Sequence, residues 1–590
     1  MPRNKINSRF KIITGIVFAA LAIIVVRLFF IQIIEHGEWV AKAEKQHTLL
    51  ETITAKRGEI YMMDHGEPVP VVLNQTTYQL VIDPTVTQKE DIDKVLTTYA
   101  KQYQTADLDE VYNTEGLRYS IVAKNVPHSV AEEIVKAEIP AIWLKKTNQR
   151  VYPEGELASG LLGFVNADGV GQYGVEGSLN QVLAGKDGLI KTTADINKVA
   201  LSIGNDNVKI PAQDGQDVIL SIDRGFERGV EEHAAAAIAN SPATNAAVLV
   251  MNPTTGEILA MANLPNYNPA DYSNVKDASA YNNYTTEIPY EPASTCKVFT
   301  FAAAINEGKM NAQTTYNNKG YEIIDENRIN NADRRASLLG NISMQTALSF
   351  SLNTGSIYAL KLLGNDPTTI NAEGREKLYE YYYNRFRLGQ ATGFELYEDT
   401  GFVWDPHADA YGLNAAYANM TFGQNLSLTM LQVTSAFSAV INGGIYRTPT
   451  VVVKGTNPEK TSLPEEISSE GQTEEKGPTQ VISQETSAAM RAMLVENRIT
   501  KANRGIDRAG YAVGGKTGTA QTIRNGAYVM DEFVGSYLGF VGTRGELPKI
   551  AIMVKMWGEG QEIEGNKGPA ALFDTLSNFA IDYFKIKPGA

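Results

Sequence analysis

The longest hydrophobic stretch in the chain runs from Ile12 to Ile34, where only Arg27 and Gln32 interrupt the strongly apolar residues. A run of about 20 apolar residues is long enough for a helix to cross a bilayer. Four basic residues precede it, namely Arg3, Lys5, Arg9 and Lys11. Because basic flanks stay on the cytoplasmic side, the pattern predicts a cytoplasmic tail at 1–11, a single membrane anchor at 12–34 and the remainder outside.

This segment leaves two alternatives open. Ala20-Leu-Ala22 resembles the cleavage site of a secretory signal peptide, although the apolar run continues beyond it through Ile23–Val26, which favours an uncleaved anchor. Arg27 lies near the outer end of the run, where its long side chain can reach the interface. Alternatively, Arg27 and Gln32 face a partner helix within the membrane.

From residue 35 to about 214, strand-like runs alternate with turns. Thr77–Ile82 alternates between apolar and polar positions, as a half-buried strand does, and is followed by Asp83-Pro84. Val130–Ala137 has the spacing of a short amphipathic helix. No residue combination in this region suggests catalysis, so we expect a mixed domain of helices and strands with a supporting role.

From residue 215 to 590, strand patterns lie at both ends of the region, with helical patterns between them. Asn245–Met251 and Glu257–Ala262 flank a Pro-Thr-Thr-Gly turn and predict a β-hairpin. Three antiparallel strands are predicted at Lys516–Thr522, Phe533–Val541 and Lys549–Trp557. The predicted helices are Ser294–Asn306, Ser343–Phe350, Gly355–Leu363, Leu428–Ile441 and Ala570–Phe584. The expected fold class is α/β (α+β), with an antiparallel sheet sandwiched by helices.

Composition narrows the possible functions. A length of 590 residues predicts two or three domains, and a formal net charge of −14 disfavours a nucleic-acid partner. The single cysteine, Cys296, excludes an intrachain disulfide and is expected to be a buried, inert residue. Six histidines without paired spacing, and no H-E-x-x-H or Cys/His pattern, disfavour a metal site. We therefore expect no metal and no other cofactor.

The candidate chemistry lies in three short strings: Ser294-Thr-Cys-Lys297, Ser351-Leu-Asn353 and Lys516-Thr-Gly518. Ser294 and Lys297, at positions i and i+3, share one face of a helix. A serine hydroxyl is a poor nucleophile until a base takes its proton. Lys297 can be that base if burial and a second cation, Lys516, favour its neutral form. Ser351 supplies a hydroxyl that can pass a proton to a leaving amine.

The remaining positions suit a peptide substrate. Asn353 has an amide with donor and acceptor ends, and Lys516 with Thr517 suits a terminal carboxylate. A strand through Lys516–Thr519 can pair with an extended substrate, while the N–H groups of Ser294 and Thr519 can form an oxyanion hole. The candidate catalytic residues are Ser294, Lys297, Ser351, Lys516 and Thr519, and the candidate substrate-binding residues are Asn353, Thr517 and Gly518.

These strings, in this order, resemble the S-x-x-K, S-x-N and K-T-G motifs of penicillin-binding proteins and class A β-lactamases. Arg57-Gly-Glu-Ile60 and Gly174-Val-Glu176-Gly177 resemble elements of the pedestal domain of class B penicillin-binding proteins. Arg57 and Glu176 are expected to hold that domain together rather than to touch substrate. Tyr290-Glu-Pro-Ala-Ser294 is most similar to the FtsI-like septal branch, although Ala293 and Asn425 replace glycines that are usual in the family.

The resemblance implies a pedestal (dimerisation-type) domain at 35–214 and a transpeptidase domain at 215–590. It implies a serine D,D-transpeptidase that cross-links peptidoglycan through an acyl-enzyme on Ser294 and is inhibited covalently by β-lactams. The donor would be a D-Ala-D-Ala stem peptide and the acceptor an amine on a neighbouring stem. The implied partners are a polytopic glycan polymerase of the shape, elongation and division (SEDS) family and other division or elongation proteins, at the plasma membrane.

Other classes of protein share parts of this pattern. A D,D-carboxypeptidase and a β-lactam sensor share the motifs, although sensors usually carry more membrane helices. A β-lactamase would need neither an anchor nor a pedestal. A non-catalytic cell-wall scaffold is disfavoured because every catalytic position is filled.

Overall fold

The structure is a computed structural model, and it describes residues 4–39, 42, 48–193, 208–453, 477–501, 507–524 and 527–589. Contacts between Cα atoms divide the chain into two compact units. The first comprises Met1–Arg57 and Gly185–Gly215, and the second comprises Gly58–Ala184 and Gln216–Ala590.

The α-helices of the described residues are, in chain order, α1 (Asn4–Phe29), α2 (Lys89–Val95), α3 (Leu108–Asn113), α4 (His128–Lys136), α5 (Ser159–Leu162), α6 (Gly174–Ser178), α7 (Asn180–Ala184), α8 (Arg224–Ala239), α9 (Lys297–Asn306), α10 (Met344–Ser349), α11 (Asn353–Leu363), α12 (Ala372–Tyr379), α13 (Leu413–Met420), α14 (Met430–Ile441), α15 (Gln484–Lys501) and α16 (Gly568–Tyr583).

The strands are, in the same order, β1 (Thr48–Ile53), β2 (Ile60–Asp64), β3 (Glu67–Ile82), β4 (Ser120–Val126), β5 (Ile142–Val151), β6 (Phe164–Val165), β7 (Gly171–Gln172), β8 (Gly188–Thr193), β9 (Val208–Ile210), β10 (Val218–Asp223), β11 (Asn245–Met251), β12 (Ile258–Leu264), β13 (Thr315–Asn318), β14 (Tyr321–Ile324), β15 (Asn327–Asn330), β16 (Gly340–Ser343), β17 (Ile445–Tyr446), β18 (Thr479–Gln480), β19 (Tyr511–Arg524), β20 (Ala527–Thr543) and β21 (Ile550–Trp557).

The first unit contains α1 and a three-stranded sheet in the order β1-β8-β9. Helix α1 and the helical turn after it include an apolar segment of 25 residues, Phe10–Ile34, with a mean hydropathy of 2.7. This length and composition are sufficient for one membrane span. Near the end of the segment, the Arg27 guanidinium donates a hydrogen bond to the Glu35 carboxylate (3.4 Å).

The amino-terminal part of the second unit is built on a sheet in the order β10-β2-β3-β4, with β5 also paired to β3. The predicted strand at 77–82 is the end of β3, and the predicted helix at 130–137 corresponds to α4. Glu176 is fully buried and accepts a hydrogen bond from Arg150 (2.6 Å), which also donates to Asn74 (2.9 Å). In this sheet region, therefore, Glu176 belongs to a buried ion pair.

The carboxy-terminal part of the second unit contains an antiparallel sheet in the order β12-β11-β21-β20-β19. Alternate residues of β21 enter different cores. Ile552 and Val554 pack with α8 and α16, whereas Ala551 and Met553 belong to the core formed by α9, α11 and α14. The predicted fold, an antiparallel sheet sandwiched by helices, is confirmed. Strand β19 lies at one edge of this sheet, and it carries Lys516–Thr519.

Candidate active site

Ser294 lies in a tight turn that precedes α9. Residues Ala293–Cys296 form a 3₁₀ turn, and the α-helix itself begins at Lys297, three residues later than expected for Ser294 as the helix start. Ala293 has a φ of +51° and its N–H donates to the carbonyl of Gly423 (2.9 Å). The Thr295 hydroxyl closes the turn by donating to the carbonyl of Pro292 (2.7 Å). The left-handed conformation of Ala293 excludes this residue from the α-helix, because α-helical geometry requires a negative φ.

Glycine is required where the chain passes closest to this turn. A Cβ atom on Gly423 would lie 2.1 Å from the carbonyl oxygen of Ala293, and one on Gly518 would lie 2.7 Å from that of Pro292. Both distances are far below van der Waals contact. The glycines of Gly423-Gln-Asn425 and of the K-T-G string therefore allow two other segments to approach the backbone that carries Ser294.

Ser351 and Asn353 lie at the junction between α10 and α11. Ser351 has a φ of +57°, and α11 begins at Asn353. The first turn of α11 is held in place by buried polar groups, since Thr354 N–H donates to Asn331 Oδ1 (3.0 Å). The amide of Asn353 itself donates through Nδ2 to the carbonyl of Asn330 (2.9 Å). The junction thus presents the Ser351 hydroxyl and the Asn353 amide oxygen on the same side.

Two buried lysines meet at this junction. Lys297 Nζ donates to the carbonyl oxygen of Ser351 (2.5 Å), to Ser351 Oγ (3.2 Å) and to Asn353 Oδ1 (2.8 Å). Lys516 Nζ donates to Ser351 Oγ (2.8 Å) and to the carbonyl of Thr517 (3.0 Å). Lys297 is fully buried and Lys516 is 1% exposed. The structure therefore brings Lys297, Ser351, Asn353 and Lys516 into one hydrogen-bonded group.

This arrangement constrains the Ser351 proton. A serine hydroxyl has two acceptor positions and one donor. Because both lysines donate to Ser351 Oγ, the O–H of Ser351 is left to donate to a third group. The two positive charges also share one neutral oxygen, which raises the electrostatic cost of keeping both lysines protonated.

The other predicted residues lie along the edge strand and in the serine turn. Ser294 and Thr517 are partly buried, Gly518 is buried and Thr519 is exposed. Thr519 Oγ1 accepts a hydrogen bond from the N–H of Gly565 (3.0 Å), in the segment between β21 and α16. The predicted site residues thus lie on a turn, a helix junction and a sheet edge.

Sequence reasoning assigned no role to Glu291, which lies three residues before Ser294. Glu291 is 5% exposed, and its Oε1 accepts hydrogen bonds from Asn425 N–H (2.7 Å) and Tyr528 Oη (2.9 Å). Burial raises the pKa of the Glu291 carboxyl above its usual range. Asn425 has a φ of +62°, a conformation that asparagine tolerates better than most residues. The available signals were its place in the Tyr290-Glu-Pro-Ala-Ser294 string and its acidic side chain directly before the serine turn.

Comparison with known protein families gives two matches along this chain. Residues 246–577 match the penicillin-binding protein transpeptidase domain, and residues 52–220 match the penicillin-binding protein dimerisation domain. The first match covers more than half of the 590 residues. The order of the two domains is the order that the motifs imply.

Individual relatives agree with these matches. Stage V sporulation protein D of Bacillus subtilis (strain 168) is 31% identical over 423 residues, which cover 71% of this chain and 61% of that protein. The peptidoglycan D,D-transpeptidase FtsI of Buchnera aphidicola subsp. Schizaphis graminum is 25% identical over 596 residues, covering 99% of this chain and 96% of the relative.

The fold agrees as well. The crystal structure of penicillin-binding protein 2X from Streptococcus thermophilus superposes with a TM-score of 0.68 at 23% identity, covering 91% of this chain and 80% of that one. With a dimerisation domain, a transpeptidase domain and the three motifs in one chain, the protein belongs to the class B penicillin-binding proteins.

Proposed function

We propose that the protein is a serine D,D-transpeptidase that cross-links peptidoglycan stem peptides through an acyl-enzyme on Ser294. The observation that carries this proposal is the meeting of Lys297 and Lys516 on Ser351 Oγ, with Lys297 three residues after Ser294. A nucleophile, a base and a proton relay are the three groups that acyl transfer to a serine requires.

In the first half of the reaction, Ser294 Oγ attacks the carbonyl carbon of the penultimate D-Ala. Lys297, in its neutral form, accepts the hydroxyl proton. The new Oγ–C bond forms as the C–N bond to the terminal D-Ala breaks. The departing nitrogen takes a proton from the Ser351 O–H, which both lysines leave free to donate, and Ser351 is reprotonated through the lysines.

The edge strand β19 supplies the binding surface in this proposal. Its outer edge can pair with an extended peptide by strand addition. Lys516 and Thr517 would hold the terminal carboxylate, Gly518 would let the peptide approach, and Asn353 would hold the peptide backbone. The N–H groups of Ser294 and Thr519 would stabilise the oxyanion, which is usually the largest electrostatic contribution to such reactions.

In the second half, an amine of a neighbouring stem attacks the same carbonyl carbon. The amine loses a proton to the Lys297–Ser351 group, the C–Oγ bond breaks, and Ser294 is regenerated. A β-lactam would acylate Ser294 in the same way. The C–N bond that breaks is part of the β-lactam ring, so the leaving nitrogen stays attached to the acyl group. This explains why β-lactams would inhibit the enzyme covalently.

The membrane topology is part of the proposal. The basic residues before the apolar segment would hold the amino terminus in the cytoplasm, with the transpeptidase domain outside. A partner in the membrane, of the SEDS glycan polymerase family, would deliver new strands to the site. Arg27 within the span is the kind of residue that contacts a partner helix.

Two measurements test the proposal. Mass spectrometry after penicillin treatment should show one adduct, mapped to Ser294 and absent from the Ser294→Ala variant. The full chain, reconstituted with nascent glycan strands and a polymerase, should release D-Ala and form dimeric muropeptides. Release of D-Ala with only shortened monomeric stems would identify a carboxypeptidase, and an adduct that persists in Ser294→Ala would refute the assignment of the nucleophile.

A further inference from the structure

A cavity of about 210 Å³ lies between α15 and the end of the main sheet at which β19 begins and β20 ends. Its apolar walls include Val495, Ala512, Phe540 and Pro548. None of the residues to which we assign a catalytic or substrate-binding role lines it. Ala512 comes four residues before Lys516. Because a strand rises about 3.3 Å per residue, this wall of the cavity is roughly 13 Å along β19 from the Cα atom of that lysine.

The charged group at the α15 side of the cavity is the Arg491 guanidinium. Its Nη1 donates to the carbonyl of Ile441, the last residue of α14 (2.9 Å), and to Ser487 Oγ, one turn earlier on α15 (2.8 Å). These two hydrogen bonds use both hydrogens of Nη1 and fix the guanidinium. Among the described residues, no acceptor contacts Nε or Nη2 and no carboxylate pairs with Arg491. The Nε–Nη2 edge therefore remains available to a ligand in the cavity.

The charge of this cavity favours an anionic ligand. The one acidic residue of its lining, Glu546, is exposed, and its carboxylate pairs with the Lys549 ammonium (3.2 Å). Arg491 is partly buried, and burial lowers the pKa of its guanidinium, as expected for a cation without a counter-ion. An arginine nevertheless stays protonated in proteins. Within the part of the chain that the structure describes, the lining thus carries one positive charge that no anion compensates.

The shape of the open edge and the character of the walls together narrow the chemistry of the ligand. The Nε–H and one Nη2–H of a guanidinium are parallel donors, and they match the two oxygens of a carboxylate. A phosphate could use the same edge, but the apolar walls offer no side-chain partner to its remaining oxygens. Ligand sites are in general mostly apolar with a few polar groups that fix orientation, and this cavity has the volume of a small one.

We propose that this cavity is a binding site for a small carboxylate with a short apolar tail. The carboxylate takes the open edge of Arg491, and the tail packs against Val495, Phe540 and Pro548. The ligand supplies the anion that the described part of the fold does not provide. The proposal goes beyond the transpeptidase activity and does not depend on the catalytic role of Ser294.

Fluorine NMR with the full chain in lipid nanodiscs tests this directly. The probe is trifluoropropanoate, and the neutral trifluoropropanamide is the control ligand. The wild-type protein should bind the carboxylate and not the amide. Arg491→Met should weaken binding of the carboxylate roughly 10- to 100-fold, since a hydrogen bond to a charged group contributes about 1.5–3 kcal/mol. Arg491→Lys keeps the charge but not the pair of parallel donors, so it should restore only part of the affinity.

Two controls complete the charge series. Arg508→Met removes an exposed arginine that pairs with Asp582 shortly before β19, and it should leave probe binding unchanged. Inorganic phosphate at the concentration of the probe should not displace it, because phosphate has no apolar tail to pack against the walls.

A further variant covers the case in which Arg491→Met does not fold, since Arg491 also joins α15 to α14. Ala492 lines the cavity and is exposed, so Ala492→Phe should fill the space and abolish probe binding. Ala235→Phe, at an exposed position on α8, is the matched control and should bind the probe as the wild type does.

Pre-acylation with penicillin distinguishes this cavity from the acylation site. Probe binding should persist after acylation and in Ser294→Ala. Equal binding of the amide, unchanged binding in Arg491→Met and Ala492→Phe, or full affinity in Arg491→Lys would each overturn the proposal. Displacement of the probe by phosphate, loss of binding on acylation, or no binding at millimolar probe would do so as well.

Discussion

Lys297 is the residue at which the proposed chemistry can be tested most sharply. Lys297→Ala should slow penicillin acylation by about 10²- to 10⁴-fold, because it removes the base that takes the Ser294 proton. The rate can be followed with a fluorescent penicillin. Lys361→Ala is a matched control, since Lys361 is also buried but pairs with Glu322 away from the site. It should lower the melting temperature and leave acylation unchanged. Acylation of Lys297→Ala at the wild-type rate would place the base elsewhere, at Ser351 or a water.

Ser351 is predicted to act through its hydroxyl alone. Ser351→Ala should reduce acylation by on the order of 10²-fold or more, because the proton path to the leaving group is interrupted. Ser356 lies in α11, the helix that follows Ser351, and its buried Oγ has no hydrogen-bond partner among the described residues. Ser356→Ala should therefore be nearly neutral for both stability and acylation. Equal rates for the two variants in a stopped-flow acylation assay would exclude the proton relay.

At the level of single residues, the sequence identified the residues whose chemistry follows from a short local motif. Ser294, Lys297, Ser351 and Lys516 could be named in advance, and the last three are in direct contact. Cys296 is fully buried, as expected, and burial raises the pKa of its thiol.

Residues whose chemistry depends on distant neighbours were not found. Glu291 gains its properties from contacts with segments far away in the chain, and Arg491 is fixed by the carbonyl of Ile441, 50 positions earlier. Arg491 also lies on a helix, α15, that was not predicted.

At the level of elements, Gly518 joins the sheet edge to the serine turn. A Cβ at this position would lie 2.4 Å from Ser536 Oγ and 2.7 Å from the Pro292 carbonyl. Gly518→Ala should therefore displace the turn and reduce acylation by on the order of 10²-fold, the cost of a misplacement of about 1 Å. Gly477→Ala is the control, because a Cβ atom at that position would have no atom of the described residues within 4 Å. Unchanged acylation kinetics in Gly518→Ala would show that the turn can shift without loss.

The boundaries of elements were predicted less well than their order. The predicted strands and helices of the carboxy-terminal domain occur in the predicted order, but β19 and β20 extend well beyond their predicted ends. The helices α8, α12, α13 and α15 were not predicted. The start of α9 differs from the prediction for a physical reason. The apolar pattern of the predicted helix continues back to Ser294. The turn that is found there includes Ala293, whose left-handed conformation depends on contact with Gly423, 130 positions later. Local periodicity carries no information about such a contact.

For the whole molecule, the first prediction concerns the membrane segment. The mature protein should begin at its original amino terminus, because the apolar run does not end after Ala22. Edman sequencing of membrane-extracted protein would detect cleavage as a new terminus at Ile23. In spheroplasts, an impermeant maleimide should label Lys145→Cys but not Lys5→Cys, with little background because the native Cys296 is buried. The reverse labelling would overturn the proposed orientation.

The second prediction concerns two carboxyl groups on α8 that connect the two parts of the second unit. Glu227 is fully buried and its Oε2 accepts a hydrogen bond from Met261 N–H of β12 (2.8 Å). Glu231 accepts one from Ala158 N–H, next to α5 (2.8 Å). Burial raises the pKa of Glu231 to about 7, and burial together with the neighbouring Glu231 raises that of Glu227 well above its usual range.

A raised carboxyl pKa gives stability the opposite pH dependence from that of an ordinary ion-paired acid. Below about pH 4.5 these groups are protonated in both the folded and unfolded states and cause no penalty. Between about 4.5 and 7 the unfolded chain releases its protons while the folded protein retains them, so stability falls as pH rises. Glu227→Gln keeps the acceptor for Met261 N–H and removes one charge of the pair. The melting temperature of Glu227→Gln minus that of the wild type should therefore be larger at about pH 8 than at about pH 5.5. Glu232→Gln, at an exposed position on the same helix, should show no such difference. If the Glu227→Gln and wild-type melting curves shift in parallel with pH, the two carboxyl groups are not the source of the effect.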